Sequence, residues 1–469
     1  MLDPQDGIYP IILKSLYTLI IMHPLLLKEF NISLRLALPL MAALLAEVGL
    51  QGIDGVMLGY FGVHALAAGA LAITISIVII VSLLGITTAA AVLIAEANAT
   101  NDISRMTRYW QHTLCIIVII SIPVMLFYAH LQPIFIFFHQ DPNVVKIAQL
   151  YLWGDLWAVP AVLGYIFCKE IFTCLEKTKI IMIVAAIALP LKVAINYVVI
   201  FGIFGFPKLG VFGIGLTGAI VSWLMFLATI MYGLSEPTFA KILKAKLLPL
   251  ENKIFMSIIK LGTPICLQGF FEATLFLVSA IMMGWINPID QAAHQIVMQY
   301  VDLAFLLALG FSQVAAIRVA KFSALHDIAS IKRTAQANAL ITVLISGSFV
   351  LIFVFAKTPL IWLFTHSHDA DPLLLATTNS FFWIAAAFVC FDSLKLLATC
   401  LLRGLKDTFV PMLLGLAAYW GIGISSAYLF AFVFHWEGIG IWCGIALGIF
   451  IATVILWLRW RQQYQKLQS

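Results

Sequence analysis

The sequence predicts an all-α membrane protein with twelve transmembrane helices arranged as two pseudo-symmetric six-helix bundles. Three observations predict this fold. The first is composition: the 469 residues have a mean hydropathy of +1.05, and only 10% of them are charged, whereas soluble domains carry about 25% charged residues. The second is a series of apolar runs, each long enough to cross a bilayer. The third is an internal repeat that relates the two halves of the chain.

The apolar runs, bounded by charged residues, Gly or Pro, predict the individual helices in order. The predicted spans are 32–58, 68–96, 110–132, 147–172, 178–204, 210–234, 255–286, 292–320, 334–364, 373–404, 408–434 and 437–459. The longest polar connection lies near the middle of the chain. We therefore expect five regions: an N-terminal interfacial segment (1–31), an N-lobe (32–234), a cytoplasmic linker (235–254), a C-lobe (255–460) and a cytoplasmic tail (461–469).

The N-terminal segment and the cysteines add two further expectations. The first 30 residues lack the order of a cleavable signal, and Lys14, His23 and Pro24 interrupt their apolar run at 11–27. This pattern favours a helix that lies on the membrane surface. The seven cysteines lie in or beside apolar stretches without a C-x-x-C pair, so we expect no structural disulfide and no zinc site. We expect no cofactor other than the coupling cation, a proton or sodium.

The basic residues are distributed unequally between the two sides of the predicted membrane. If the termini and the even-to-odd loops share one side, that side holds 23 of the 27 Lys and Arg residues, with Lys169 and Lys395 among them. The other side holds Lys146, Lys208 and Lys357. The positive-inside rule therefore places both termini in the cytoplasm. Because the net charge of +5 is spread over short loops, it indicates orientation and excludes nucleic acid as a partner.

The internal repeat keeps one register over about seventy residues. A shift of 225 positions pairs Leu38-Pro39 with Thr263-Pro264, Glu47 with Glu272, Gly85 with Gly310 and Asp102 with Asp327, and a shift of 226 pairs Thr173-Cys174-Leu175 with Thr399-Cys400-Leu401. Six helices return the chain to its starting side, so the halves share one topology about an axis along the membrane normal. Paired bundles of this kind are typical of transporters with a substrate cavity between them, and the sequence has no segment resembling a channel filter.

Polar side chains inside the predicted helices are the candidate functional residues, because a charged group at mid-bilayer costs about 3 kcal/mol on insertion scales. In the N-lobe they are Glu47, Gln51 and Asp54 on one face of helix 1, and Lys192 and Asn196 on helix 5. In the C-lobe they are Gln268 and Glu272 on helix 7, Gln295, Gln299 and Asp302 on helix 8, and Asp392 and Lys395 on helix 10.

The alternative interpretation of each cluster is a structural network that holds helices together. Lys395 and Asp392, at i and i+3, are spaced to neutralise each other, and the glutamines are of a type that often bridges helices. Asp54 and Glu272 have no opposite charge within four residues, which favours a functional role. Asp155 lies near a predicted helix end, so we expect it at the membrane interface. The central acids outnumber the central lysines, and such an interior prefers cations.

Four segments resemble the MATE (multidrug and toxic compound extrusion) transporters, most closely the NorM-like branch. They are LALPLMAALLAEVGLQGIDGVMLGYFGVHALAAGALA at helix 1, INYVVIFGIFGFPKLGVFGIGLTGAIVSW at helices 5 and 6, LQGFFEATLF at helix 7 and LLRGLKDTFVPM after helix 10. The resemblance covers nearly the whole chain and implies a MATE-like fold. It also implies a cation or proton site in the N-lobe at Asp54 and Asn196. In the C-lobe it implies an acidic pair, Glu272 and Asp392, linked to cation coupling and drug binding.

Two lysines depart from the family pattern. Family members often have an asparagine at the position of Lys192 and an uncharged residue at that of Lys395. We expect these ammonium groups to compensate charge where a metal ion binds in relatives. This favours protons over sodium as the coupling ion, while sodium at Glu272 and Asp392 remains open.

These observations predict a secondary active exporter of the bacterial inner membrane, monomeric, that exchanges small cationic drugs and dyes for protons or sodium by alternating access. The carboxylates hold either the coupling ion or the charge of the drug, and aromatic and Met side chains contact its apolar body. The residues expected to line the substrate cavity are Glu47, Gln51, Gln268, Gln295, Gln299 and Asp302. The alternative is a flippase for a lipid-linked saccharide, whose cavity needs cationic residues for a pyrophosphate. An enzyme is not expected, because no H-E-x-x-H, G-x-S-x-G or paired-Asp protease motif occurs.

The predicted topology is tested by cysteine labelling from outside intact cells. Cysteines introduced near Pro207 and Pro288 should react with a membrane-impermeant reagent, because those loops lie outside the cell. Cysteines near Lys244 and Arg333 should stay unlabelled until the cells are permeabilised. Labelling at Lys244 in intact cells would contradict the model with both termini inside.

Overall fold

The computed structural model describes residues 24–137, 141–205, 207–246, 248–365 and 372–468. Within these ranges, twelve helices are long and apolar enough to cross a membrane. The N-lobe consists of α1 (Pro24–Tyr60), α2 (Val63–Ala99), α3 (Ile103–Ala129), α4 (Pro142–Cys174), α5 (Lys179–Phe201) and α6 (Gly210–Gly233). The C-lobe consists of α7 (Asn252–Ile286), α8 (Pro288–Ala324), α9 (Ile328–Phe355), α10 (Pro372–Gly404), α11 (Phe409–Val433) and α12 (Glu437–Gln468). The predicted fold class is confirmed, and the chain is a multi-pass membrane protein.

Several helix boundaries differ from the predicted spans. Helix α1 begins at Pro24, so the end of the expected surface helix belongs to α1, while residues 11–23 lie outside the described residues. The predicted span 334–364 comprises α9 and a separate short helix, Lys357–Thr365. Pro359 explains the break, because its ring would clash with the carbonyl of Phe355 in a continuous helix. A further short helix, Pro237–Leu243, lies in the connection between the lobes.

The sequence repeat is also visible in local backbone geometry. The side chains of Asp102 and Asp327 cap the N-termini of α3 and α9 by accepting the backbone N–H of the third helical residue. Each follows a residue with a left-handed backbone, Asn101 (φ 56°) and His326 (φ 55°). An aspartate at the N-cap satisfies an otherwise unpaired helix donor. The same turn therefore starts the third helix of each lobe.

The lobes meet at the membrane side that carries residues 24 and 468, which we call the terminal side. Gly85 of α2 lies against the backbone of α7, where an added Cβ would be 2.7 Å from the carbonyl oxygen of Gly262. Gly310 of α8 lies against α1, where a Cβ would be 2.6 Å from Met41 Cγ. These two repeat-related glycines let helices of opposite lobes approach closely.

Towards the opposite side, which we call the far side, the lobes enclose a cleft. Residues 311–320 of α8 are almost all buried, whereas Gln295, Gln299 and Asp302 nearer the far side are exposed. Exposed amide and carboxylate groups at mid-membrane are expected to face water and not lipid. The cleft between the lobes is thus closed at the terminal side and open towards the far side.

Ion pairs join the two lobes across the closed end. Arg318 of α8 forms two hydrogen bonds to Glu29 of α1, at 2.5 Å from Nε and 2.7 Å from Nη2. Glu176, in the loop after α4, accepts hydrogen bonds from Arg318 at 3.2 Å and Lys321 at 2.9 Å. The terminal-side cluster comprises Glu29, Glu96, Glu176, Arg318, Lys321 and Lys406. Every pair in it links the N-lobe to the C-lobe.

Protonation of Glu176 can be used to test whether the terminal-side cluster holds the lobes together. Partial burial of Glu176 would raise the pKa, but the hydrogen bond and charge of Lys321 and the charge of Arg318 outweigh burial, so the pKa is lowered from 4.5. A lowered pKa means that the ionised form is stabilised by the contact. The contribution is complete above pH 4.5 and is lost as the pH falls through the lowered pKa.

We expect Glu176→Gln to loosen the closed end, because Arg318 and Lys321 lose the carboxylate they share. The measurement is a distance distribution between spin labels at Lys177 and Leu325, which are exposed on opposite lobes. The variant should gain a longer-distance component at pH 7, and the unmodified protein should gain it only below pH 4.5.

The matched control is Asp407→Asn, which removes an ion pair to Arg459 within the C-lobe alone. This change should leave the distance distribution as it is in the unmodified protein. An equal shift in both variants would show that the interlobe pairs do not hold the closed end.

Candidate functional site

The C-lobe site is a lysine held between two carboxylates. Lys395 Nζ of α10 lies 2.5 Å from Glu272 Oε1 of α7 and 2.7 Å from Asp392 Oδ1, three residues earlier on α10. Lys395 is 1% exposed and Asp392 is 3% exposed, whereas the Glu272 side chain remains 16% exposed. The pair at i and i+3 expected from the sequence is present, and Glu272 joins it from another helix.

Helix α11 is the third helix that contributes to this site, beside α7 and α10. Residues Ala417–Ile424 form a π-helical segment, a feature that is often found at functional sites. It places the ring of Tyr419, which is fully buried, with its centroid 5.3 Å from Lys395 Nζ. The ring face therefore covers the ammonium group in a cation–π contact.

Glu272 and Asp392, the expected position of a sodium ion, both contact the ammonium group of Lys395. The ammonium group lies between the two carboxylates. Within the described part of the chain, no group of three or more His, Cys, Asp or Glu side chains could hold a metal. The negative charge of Glu272 and Asp392 is therefore partly neutralised by Lys395, a cation that belongs to the chain itself.

The N-lobe site has a related arrangement around Asp54. Asp54 Oδ2 of α1 accepts hydrogen bonds from Lys192 Nζ of α5 at 2.8 Å and from Tyr151 Oη of α4 at 3.0 Å. Asp54 and Lys192 are 3% and 4% exposed. Asn196, one turn beyond Lys192, is fully buried, and neither polar atom of its amide has a protein hydrogen-bond partner. The structure thus brings the predicted N-lobe residues of α1 and α5 together and adds Tyr151.

A third buried lysine lies outside the set predicted from the sequence. Lys169 Nζ of α4 contacts both carboxylate oxygens of Glu47 at 2.9 and 3.0 Å, and Lys169 is 3% exposed. Lys169 lies inside the predicted span 147–172 and near the terminal-side end of α4, where it is buried against α1 and does not reach the loop. Glu47 is accordingly an ion-pair partner, and Gln51, one turn further along, is exposed.

The polar stripe of α8 lines the open cleft. Gln295, Gln299 and Asp302 are all exposed, and Asp302 lies close enough to Asp392 for the two carboxylates to repel each other. Gln268 departs from the expected cavity lining. It is 2% exposed because it packs between helices, where its Oε1 accepts a hydrogen bond from Arg403 at 3.2 Å.

Asp155 is not at the membrane interface, and that prediction was wrong. It lies well inside α4, immediately before a 3-10 turn, Leu156–Ala158, that interrupts the helix. Its Oδ2 accepts a hydrogen bond from Ser76 of α2 at 3.2 Å. Asp155 is one turn from Tyr151, so α4 directs both side chains towards the Asp54 site.

Sequence signals existed for the residues that were missed. The 226-residue shift that pairs Thr173 with Thr399 also pairs Lys169 with Lys395, which marks Lys169 as a candidate buried lysine. Tyr151 and Asp155 are spaced i and i+4, which places them on one helical face. Tyr419 has no comparable signal, because a π-helical segment changes which side chains share a face.

Comparisons with known proteins agree with this architecture. The family model MatE matches residues 39–198 and 264–429. A protein of Rhizobium meliloti (strain 1021) named "Probable multidrug resistance protein NorM" is 32% identical over 438 residues, which cover 92% of this chain and 93% of that protein. A protein of the same name from Synechocystis sp. (strain ATCC 27184 / PCC 6803 / Kazusa) is 30% identical over 433 residues, 92% of this chain and 93% of that protein.

A solved structure shows the same fold. The crystal structure of the eukaryotic MATE transporter AtDTX14 aligns with a TM-score of 0.84 and 19% identity, covering 94% of this chain and 98% of that one. The matched family segments begin at the repeat-related prolines of α1 and α7, Pro39 and Pro264. The chain therefore belongs to the MATE family of membrane transporters.

Proposed function

We propose that this chain is a secondary active multidrug exporter of the bacterial inner membrane that exchanges cationic, amphipathic organic compounds for protons. The relatives named multidrug resistance proteins support the transport class. The excess of basic residues on the terminal side, which remains large after Lys169 and Lys395 are placed within the membrane, supports cytoplasmic termini. In that orientation the closed end faces the cytoplasm and the cleft opens outward.

The observation that carries the proposal is the charge balance of the C-lobe site. Glu272 and Asp392 share one ammonium group, so the ionised site keeps one uncompensated negative charge. Leaving such a charge buried is unfavourable, and one monovalent cation neutralises it. A proton and the charged group of a drug therefore compete for the same site, and this competition couples their opposite movements.

The competing ion is proposed to be a proton because the ammonium group disfavours a bound metal ion. Lys395 contacts both carboxylates and is 1% exposed. In so enclosed a site its repulsion of a sodium ion is weakly screened. A proton, in contrast, forms a covalent bond to one carboxylate oxygen and needs no coordination shell.

The flippase alternative receives less support from the cleft. A pyrophosphate headgroup needs exposed cationic side chains, whereas the exposed charged residue on the α8 stripe is Asp302. The described lysines at mid-membrane, Lys169, Lys192 and Lys395, are each buried in ion pairs with carboxylates. The cleft therefore favours a cationic substrate.

Neutralising Glu272 tests the charge balance. In Glu272→Gln, Lys395 and Asp392 form a neutral pair, so the site loses its exchangeable charge and dye affinity should fall by about tenfold or more. Asp54→Asn should likewise abolish drug resistance, with the protein still present in the membrane.

The matched control for this test is Glu251→Gln, because Glu251 is a partly exposed partner of Arg108 outside the site. Dye binding in detergent and resistance in cells should be unchanged in this variant. Wild-type binding by Glu272→Gln would show that the carboxylate only holds α7 and α10 together.

The coupling ion is tested in proteoliposomes that contain ethidium. A pH gradient without sodium should drive dye movement, whereas a sodium gradient at equal pH should not. Lys395→Gln leaves two carboxylates without an ammonium group and should create sodium-dependent transport. A strict sodium requirement of the unmodified protein would refute proton coupling. Unchanged ion selectivity in Lys395→Gln would show that Lys395 does not determine which ion is coupled to transport.

A further inference from the structure

The N-lobe site contains two carboxylates and one lysine when Asp155 is counted. Asp54 binds Lys192 directly at 2.8 Å, while Asp155 lies within electrostatic range of both. No ion pair within 4.0 Å joins Asp155 to a basic residue among the described ones. With all three groups ionised, this pocket also keeps one uncompensated negative charge.

Gly218 of α6 shows how closely these groups surround one point. A Cβ placed on Gly218 would lie 3.5 Å from Asp155 Oδ1 and 4.0 Å from Lys192 Nζ. Both atoms therefore border the same small space, which the glycine leaves free. Gly154 and Gly215 bring the backbones of α4 and α6 into direct contact beside it, so the helix that carries Asp155 is held against this space.

The carboxylates of Asp54 and Asp155 differ in how far they are buried. Asp54 is buried with Lys192, and its Oδ2 atom already accepts two hydrogen bonds, from Lys192 and Tyr151. Asp155 is only partly buried, and a single hydrogen bond, from Ser76, reaches its Oδ2. Asp155 is thus less enclosed than Asp54, and its Oδ1 lies close to the buried pair.

We propose that Asp155 is the residue that takes up and releases the coupling proton of the N-lobe, while Asp54 stays ionised in its pair with Lys192. The inference rests on the proposed proton coupling and adds to the C-lobe site a second proton-binding group, in the N-lobe, that gradient-driven transport also requires. In uptake, a hydronium ion transfers its proton to an Asp155 carboxylate oxygen, an O–H bond forms, and water is left. The pocket then holds one carboxylate and one ammonium group and is neutral.

The titratable and polar groups that interact with Asp155 among the described residues lie on five helices, while α6 contributes only the backbone at Gly215 and Gly218. These groups are Asp54 on α1, Ser76 on α2, Tyr128 on α3, Tyr151 on α4 and Lys192 on α5. Of these, Asp54 favours and Lys192 opposes protonation of Asp155, and the Ser76 hydroxyl donates to the ionised form. Because Lys192 is already bound to Asp54, its opposition is reduced, and Asp155 remains the group free to change charge.

The test separates net transport from exchange in proteoliposomes that contain ethidium. Asp155→Asn should lose accumulation driven by a pH gradient at least about tenfold. It should keep dye counterflow, which needs no net proton movement. Asp155→Glu should restore gradient-driven accumulation. The control Asp141→Asn makes the same substitution at the exposed N-cap of α4, where Asn is an equally good cap, and should behave as the unmodified protein.

A second variant keeps the proposal falsifiable if Asp155→Asn fails to fold. Ser76→Ala removes the hydrogen bond that stabilises the ionised carboxylate, so the pH of half-maximal dye transport should shift upward with transport retained. Gradient-driven accumulation by Asp155→Asn with an unshifted pH profile would overturn the assignment, as would an unshifted profile in Ser76→Ala. If the unmodified protein shows counterflow but no response to pH, proton coupling itself fails, and that outcome is distinct from the failure of Asp155 alone.

Discussion

Each lobe of this protein contains a lysine ammonium group with more than one carboxylate nearby, and the arrangement of the helices around both sites depends on that charge pattern. Lys192 and Lys395 come from different positions within their lobes, α5 and α10, yet each binds a carboxylate on the first helix of its own lobe, Asp54 on α1 and Glu272 on α7. A charge inside a bundle requires a partner. The lysines therefore hold the central helices in place and also limit how much negative charge remains to be exchanged.

The close packing of helices makes these sites possible, since long side chains reach their partners only where backbones are near. Small residues provide that closeness: Gly154 and Gly215 join α4 to α6 within the N-lobe, while Gly85 and Gly310 bring the two lobes together at the terminal side. In a membrane, such contacts contribute through packing and not through exclusion of water. Gly85 and Gly310 therefore lie where the cleft is closed, while Gly154 and Gly215 bring α4 and α6 together beside the N-lobe site.

The sequence predicted the helices well because hydropathy and length are properties of each segment by itself. It also identified Asp54 and Lys192, and Asp392 and Lys395, as members of common clusters. It could not pair Lys395 with Glu272, which is 123 positions away, because only packing decides which helix faces are opposed. Asp155 was misplaced because the 3-10 turn that follows it within α4 is not apparent from the apolar run. Lys169 was not recognised as a site residue for the same reason as Glu272, since only packing brings it against Glu47.

The ion pairs of this protein divide into two groups according to whether they cross the interface between the lobes. The mid-membrane pairs, such as Lys192 with Asp54, lie within one lobe, whereas the terminal-side pairs, such as Lys321 with Glu176, join the lobes. Separating a buried pair leaves an uncompensated charge in a low dielectric and costs several kcal/mol; separating a solvated one costs about 1 kcal/mol or less. A movement of one lobe against the other would break pairs of the terminal-side cluster: Lys321 with Glu176, which water can solvate, and Arg318 with Glu29, which are 5% and 8% exposed and cost more to separate. The buried lysines of the mid-membrane sites move together with the carboxylates they bind, so the alternating access proposed for transport leaves those pairs intact and must overcome the buried pair at the closed end.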